Sequence, residues 1–294
     1  MQNFLDIPPE LTDPDCAAVH IIPVPYDKTS TYRKGADRGP QAIIDASAQV
    51  EWFDIQTNTE PHLQGIHTQR PIICNEEDPV HLAPLVQDRV QRVLRANKLP
   101  VVLGGEHSVS IGAIQAACEH FENITILQID AHADTRETYC GSTHNHACVM
   151  ARARERGPIV QVGIRAIDQS ESTAMDPART FFAHNILDAP NNQWMDSVID
   201  LLAGHVYLTI DLDAFDPSII PATGTPEPGG LDWQTVNTLI HRVAQVRTIV
   251  GFDVVELCPH EAHHASDFIG AKLVLRTIAE CLAPQRPVSE HSKQ

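Results

Sequence analysis

The stretch Ile124-Thr125-Ile126-Leu127-Gln128-Ile129-Asp130-Ala131-His132-Ala133-Asp134 joins a short apolar run to three potential metal ligands at every second position. A run this apolar predicts a strand that is covered on both faces, as in a parallel sheet. On an extended backbone alternate side chains point to the same side, so we expect Asp130, His132 and Asp134 to converge on one point. Ligands of such sheets bind beyond the carboxyl ends of the strands, which makes this strand end a candidate site.

Short β-branched runs alternate with segments of helical period along the whole chain. The predicted strands are 18–24, 71–74, 100–103, 124–129, 159–164, 206–212 and 248–257, and the predicted helices are 41–50, 81–96, 111–120, 148–156, 194–203, 236–246 and 268–281. This alternation predicts an α/β fold, a parallel sheet with helices on both faces. No repeat or linker divides the chain, so residues 1–294 are predicted to form one domain, in which only the tail 288–294 looks dispensable.

The composition excludes several classes of protein. At 294 residues and 43% hydrophobic, the chain can bury a large core. No window approaches ~18 uninterrupted apolar residues and the N-terminus lacks a secretory signal, so we expect a cytoplasmic protein without a membrane span. Acidic residues exceed basic ones by 38 to 21, and no Lys/Arg-rich run offers a surface for nucleic acid. The seven cysteines include no C-x-x-C pair, which favours reduced thiols over a zinc ribbon.

Two further strand ends carry residues that can bind metal. Asp211-Leu212-Asp213 repeats the alternating arrangement, and Gly104-Gly105-Glu106-His107-Ser108 places an imidazole after a turn that the glycines allow. A Gly-Gly turn could instead hold a phosphate, but the chain has no G-x-G-x-x-G and no Gly-Lys-Ser/Thr motif. The candidate ligands are therefore His107, Asp130, His132, Asp134, Asp211 and Asp213.

Four carboxylates in one place repel one another unless cations neutralise them. Two divalent ions balance four carboxylates, and six side chains with a shared water can complete the coordination of both, which predicts a metal pair roughly 3.5–4 Å apart. Oxygen ligands with one imidazole per metal and no thiolate favour two Mn²⁺ over Zn²⁺, with Fe²⁺, Co²⁺ and Ni²⁺ as alternatives.

The chain resembles the ureohydrolase family of arginases and agmatinases along nearly its whole length. The similar segments are 24–27, 33–40, 104–108, 130–134, 146–150, 211–217, 224–231 and 252–256. The resemblance implies a three-layer α/β/α sandwich on a parallel sheet of about eight strands, in a homo-oligomer, usually a trimer or hexamer. It further implies that Asp130 and Asp211 bridge two metals, with His107 and Asp134 on one and His132 and Asp213 on the other.

The chemistry of a guanidinium defines the other parts expected of the site. Its carbon resists attack, so the nucleophile must be strong and already placed, and two metals lower the pKa of a shared water enough to supply one. By resemblance, Glu256 binds the guanidinium and His146 transfers the proton to the leaving amine. We expect Asp134 to be a catalytic residue as well as a metal ligand.

The substrate is expected to be a small guanidino compound, and the motifs favour agmatine, hydrolysed to putrescine and urea. Glu137, on the loop that leads to His146, suits a cationic tail, and Asp168 matches an aspartate that binds the substrate amine in arginases. Arginine, guanidinobutyrate and guanidinopropionate remain alternatives, and so does an amide deacetylase, although such sites generally use one metal. A metal-binding regulatory subunit without activity is the alternative from another class.

Overall fold

The structure is a computed structural model that describes residues 2–189 and 191–283, so the tail 288–294 lies outside the described residues. Its frame is an eight-stranded sheet in the order β2-β1-β3-β8-β7-β4-β5-β6, in which each neighbouring pair is parallel. The strands are β1 Val19–Val24, β2 Ile66–Thr68, β3 Leu99–Gly104, β4 Ile124–Ile129, β5 Ile159–Ile164, β6 Thr180–Phe182, β7 His205–Asp211 and β8 Thr248–Val255.

Helices cover both faces of the sheet. They are α1 Gly39–Ser47, α2 Ala83–Arg95, α3 Ser110–His120, α4 Val149–Arg154, α5 Gln169–Ala174, α6 Ala183–Leu187, α7 Gln193–Asp200, α8 Trp233–Val246 and α9 Ala265–Leu282. Successive strand residues enter different cores: Ile21 belongs to the core that includes residues of α1, α8 and α9, whereas Ile22 belongs to the core that includes residues of α2 and α3. This alternation across the pleat explains why the central strands carry apolar residues on both faces, and it confirms the predicted α/β/α sandwich. Within the described residues, no helix is both long and apolar enough to span a bilayer.

The edges of the sheet differ from the sequence prediction. The predicted strand 71–74 is wrong, because the strand beside β1 is the earlier segment β2. The chain does continue along β1, where Ile72 N donates to Pro23 O at 2.9 Å, but Pro71 has no N–H with which to extend the ladder. At the other edge, three-residue β6 and short α5 and α6 were not predicted, since segments this short carry little periodic signal.

The strand order explains where the site forms. Strands β3, β8, β7 and β4 are neighbours in the middle of the sheet, and their carboxyl ends lie at the same edge. In register, Ile210 of β7 pairs with Ile129 of β4 and with Val254 of β8. The polar residues that follow these strands are thereby brought together.

Candidate metal centre

His107 lies at the centre of three carboxylates. It begins a short 3₁₀ helix after β3, and its Nδ1 atom is 3.1 Å from Asp130, 3.0 Å from Asp134 and 3.5 Å from Asp211, measured to Oδ2 in each case. All four side chains are almost completely buried. Three of them, His107, Asp130 and Asp211, have ligand atoms close enough to share one ion.

A second group of ligand atoms adjoins the first through Asp130. The Nδ1 atom of His132 is 2.9 Å from Asp213 Oδ2 and 3.8 Å from Asp130 Oδ1. Asp130 therefore turns one oxygen to His107 and the other to His132, as expected of a bridging carboxylate. Asp130, His132 and Asp213 can also share one ion.

Asp130, His132 and Asp134 reach the same site, but they are divided between its two groups of ligand atoms. Asp130 lies between the two groups, His132 belongs to the second and Asp134 to the first. The backbone is not extended throughout, because Asp134 has a φ of +54° and the chain turns there. The turn is held by the peptide groups, since Met150 N donates to Asp134 O at 2.9 Å.

The orientation of the His107 ring fits a metal ligand. Thr209 Oγ donates to Asp253 Oδ1 at 2.6 Å, so the other hydrogen bond of Thr209, with His107 Nε2 at 2.9 Å, must be donated by the histidine. A neutral ring protonated on Nε2 leaves a lone pair on Nδ1. This buried Nδ1 has no hydrogen-bond partner among the described residues, although three carboxylates surround it. Burial opposes a charge on His107, but Asp130 and Asp134 outweigh it and raise the pKa of His107 well above its ordinary value. Without a metal, a proton on Nδ1 is therefore the cation between these groups, and a bound metal ion would take its place.

The carboxyl groups are difficult to ionise without such a cation. Burial and the neighbouring Asp213 raise the pKa of Asp130 to about 7, and burial with the same neighbour raises the pKa of Asp211 well above its ordinary value. Burial opposes ionisation of Asp213 too, but the charge of His132 overcomes it and lowers the pKa of Asp213 to about 2. Divalent ions reverse the first two shifts, because they stabilise the charged carboxylates.

Glu256 lies beside the first group, directly after β8. Its φ is +66°, and its Oε1 accepts a hydrogen bond from His107 N at 2.8 Å. Burial, and then the nearby Glu106, raise its pKa well above the ordinary value. Glu256 and the metal-ligand candidates His107, His132, Asp134, Asp211 and Asp213 line one cavity of about 240 Å³. A cation that entered this cavity would meet a carboxylate beside the metal ligands.

His146 also lines this cavity. Its Nδ1 is 2.9 Å from Thr29 Oγ, which also accepts a hydrogen bond from His146 N at 3.2 Å, and the ring stands edge-on to Tyr139. Burial lowers the pKa of His146 although Asp134 is close, so the neutral ring is favoured. Thr29 was missed by the sequence analysis, since nothing in the local pattern relates it to a histidine 117 positions away.

The two residues expected to bind the substrate tail have other contacts. Glu137 pairs with Arg152 and Arg154 on the surface and is not among the described residues that line the cavity. Asp168 caps the first turn of α5, with Ser170 N 2.9 Å away, and does not line the cavity either. Both roles therefore stay predictions. Besides Glu256 and the metal-ligand candidates, the acidic residues among those that line the cavity are Glu171 and Glu227.

Comparison with known proteins agrees with this geometry. A model of the arginase family matches residues 17–279. The chain is 38% identical over 270 residues to an N(1)-aminopropylagmatine ureohydrolase of Synechocystis sp., with 88% of each covered, and 36% identical over 272 residues to the Thermus thermophilus protein of the same name, with 89% of each covered. The solved agmatine ureohydrolase of Thermoplasma volcanium aligns with a TM-score of 0.85 at 29% identity, over 96% of this chain and 94% of that one.

Proposed function

The chain belongs to the arginase family and is a hydrolase of guanidino C–N bonds, and we propose that it releases urea from a guanidino compound with a cationic amine tail. N(1)-aminopropylagmatine is the first candidate and agmatine the second. In either case water adds to the guanidino carbon, the bond from that carbon to the substituted nitrogen breaks, and the products are urea and an amine.

The observation that carries this proposal is the charge of the cavity wall. Arg136 is the one lysine or arginine among the described residues that line the cavity, and it is already neutralised, with Nε 3.3 Å from Glu171 Oε2. Its guanidinium also stacks on Tyr139, 4.5 Å from the ring centre. No uncompensated cation is left in this wall to bind a carboxylate tail, whereas Glu227 offers a carboxylate to an amine. The wall thus favours an amine tail over arginine or guanidinobutyrate.

We assign two divalent ions to the six ligand candidates, with Mn²⁺ as the preferred metal. The position of His107 Nδ1 among three carboxylates and the two-sided placement of Asp130 support this assignment. When bound, such a pair lowers the pKa of a shared water and so supplies a nucleophile near neutral pH. The remaining contributions come from the side chains around it.

Glu256 and His146 supply those contributions. A carboxylate at Glu256 forms charge-assisted hydrogen bonds with the guanidinium and orients its carbon towards the metal ligands. His146 delivers the proton that the leaving amine needs, and Thr29 Oγ holds the ring for this step. Asp134 lies close to both His107 and His146, so it adjoins the metal ligands as well as the proton donor.

The names of the relatives support the extended substrate as the first candidate. Those at 38% and 36% identity are named for N(1)-aminopropylagmatine, whereas the solved neighbour named for agmatine is 29% identical. The extended compound carries one more cationic amine than agmatine, so acidic residues around the cavity increase its affinity more.

The experiment is urea release from Mn²⁺-loaded protein with N(1)-aminopropylagmatine, agmatine, arginine, guanidinobutyrate and guanidinopropionate in parallel. We expect kcat/KM to be highest for the extended amine, second for agmatine and far lower for the substrates that carry a carboxylate. A preference for guanidinobutyrate would contradict the charge argument, and no urea from any of them would contradict the proposed function. We also propose that residues 1–294 act as one catalytic domain in a homo-oligomer, a trimer or hexamer, which light scattering would test.

A further inference from the structure

Arg165 joins the loop 225–230, which carries Glu227, to the segment 213–215 that begins at the ligand candidate Asp213. The half-buried guanidinium of Arg165 donates to Asp213 O at 2.6 Å and to Glu227 O at 2.8 Å. It also donates to the carbonyls of Ala214, Phe215 and Pro228 at 3.2–3.3 Å. The arginine is thus surrounded by backbone oxygens, and it fixes the position of Glu227 relative to a metal-ligand candidate.

Asp216 holds the other end of the same loop. Its Oδ2 accepts hydrogen bonds from Gly229 N at 3.0 Å and Gly230 N at 3.1 Å. Pro226 and Pro228 flank Glu227, which restricts the backbone further. Glu227 therefore lines the cavity from a backbone that is held on both sides.

The Glu227 carboxylate differs from its neighbours in having no hydrogen bond or close ion pair among the described residues, although the charge of Arg165 is nearby. Glu171 accepts from Thr135 N and Asp168 N, both at 2.9 Å, as well as from Arg136. Glu256 accepts from His107 N. Within residues 2–189 and 191–283, no hydrogen bond or ion pair involves the carboxylate of Glu227, although this residue lines the cavity.

We propose that Glu227 determines specificity by binding the amine four carbons from the guanidino nitrogen of the substrate. This inference rests on the proposed function and names the residue that recognises the tail. Glu227 lines the same cavity as Glu256, so one carboxylate meets the guanidinium while the other meets the nearest amine. The amine is primary in agmatine and secondary in N(1)-aminopropylagmatine, and Glu227 binds both.

The test is Glu227→Gln, which keeps the shape of the side chain and removes its charge. Loss of one hydrogen bond between charged groups should lower kcat/KM by about 10- to 100-fold for both amine substrates. Pentylguanidine, in which a methyl group replaces the amine of agmatine, should be hydrolysed at an unchanged rate. The matched control is Glu122→Gln. Glu122 is an exposed carboxylate just before β4, so it lies at the amino ends of the strands, away from the cavity.

Two outcomes would overturn the inference: equal loss with pentylguanidine, or no loss with agmatine, which includes a loss confined to the extended substrate. The last result would place Glu227 at the terminal amine instead. A binding measurement separates this inference from the proposed function, because it requires no turnover. Calorimetry with 1,4-diaminobutane on the Mn²⁺-loaded protein should show affinity weakened about 10- to 100-fold in Glu227→Gln, and equal affinity, or none in the unsubstituted protein, would refute it.

Discussion

Thr209→Val tests whether His107 is oriented as a metal ligand by the strand beneath it. Thr209 is fully buried in β7, accepts the Nε2–H of His107 and donates to Asp253, which also accepts from Tyr207 at 2.9 Å. Valine has the shape of threonine but neither accepts nor donates. The substitution therefore leaves Nε2–H unpaired and the His107 ring free to rotate.

The magnitude follows from these two hydrogen bonds. Groups that orient a metal-binding histidine typically contribute 10- to 100-fold to metal affinity, or about 1.4–2.8 kcal/mol. A buried donor without a partner costs about 1–3 kcal/mol of stability. We thus expect Mn²⁺ affinity to fall by roughly ten- to a hundredfold, with a separate loss of stability in the metal-free protein.

The assay is metal retention against increasing chelator, followed by elemental analysis, with thermal unfolding of the metal-free protein alongside. The matched control is Thr125→Val on β4, since Thr125 is equally buried and accepts from Ala203 N at 2.9 Å, but lies at the amino end of the sheet. This control should lose stability and keep its metal affinity. If both variants retained metal like the unsubstituted protein, Thr209 would not orient His107.

Three further expectations concern the site and the pH dependence of stability. Glu256→Gln should keep both metals in elemental analysis yet lose about 100-fold in kcat/KM, because the guanidinium loses a charged partner; normal turnover would remove Glu256 from this role. Asp130→Ala should lose both metals and all urea release, whereas one tightly held metal with near-full activity would show that Asp130 does not bridge. Burial, with the charges of His67 and Lys98, lowers the pKa of His20 to about 4. Between this value and the ordinary pKa of about 6.5, the unfolded chain binds a proton that the folded chain does not. The free energy of unfolding should therefore fall by up to about 3 kcal/mol as the pH drops from about 6.5 towards 4. Urea unfolding at pH 7 and pH 5 should show this loss, and His20→Gln should reduce it; an identical loss in that variant would assign the effect to another group.

The features that could be predicted from sequence are those that show as a pattern within one short segment of the chain. The central strands are mostly apolar runs, and the ligand candidates follow these runs at the positions where parallel strands end together. The division of Asp130, His132 and Asp134 between two groups followed from the family resemblance and not from the alternating pattern, because that pattern does not encode the positive φ at Asp134. Likewise, the edge strand β2 was missed because three residues carry too little pattern.

The residues that support the site were missed for a different reason: their partners are distant in sequence. Thr209 lies 102 positions from His107, and Arg165 lies 62 from Glu227. A weaker signal was present, since Thr209 and Asp253 are polar residues inside otherwise apolar strands, and Thr209 shares a strand face with Asp211. A polar residue in a strand with both faces covered needs a buried partner, because leaving it unpaired costs more than one hydrogen bond contributes. Such a residue two positions before a ligand candidate therefore points to a support of the site, although only the fold identifies which ligand it holds.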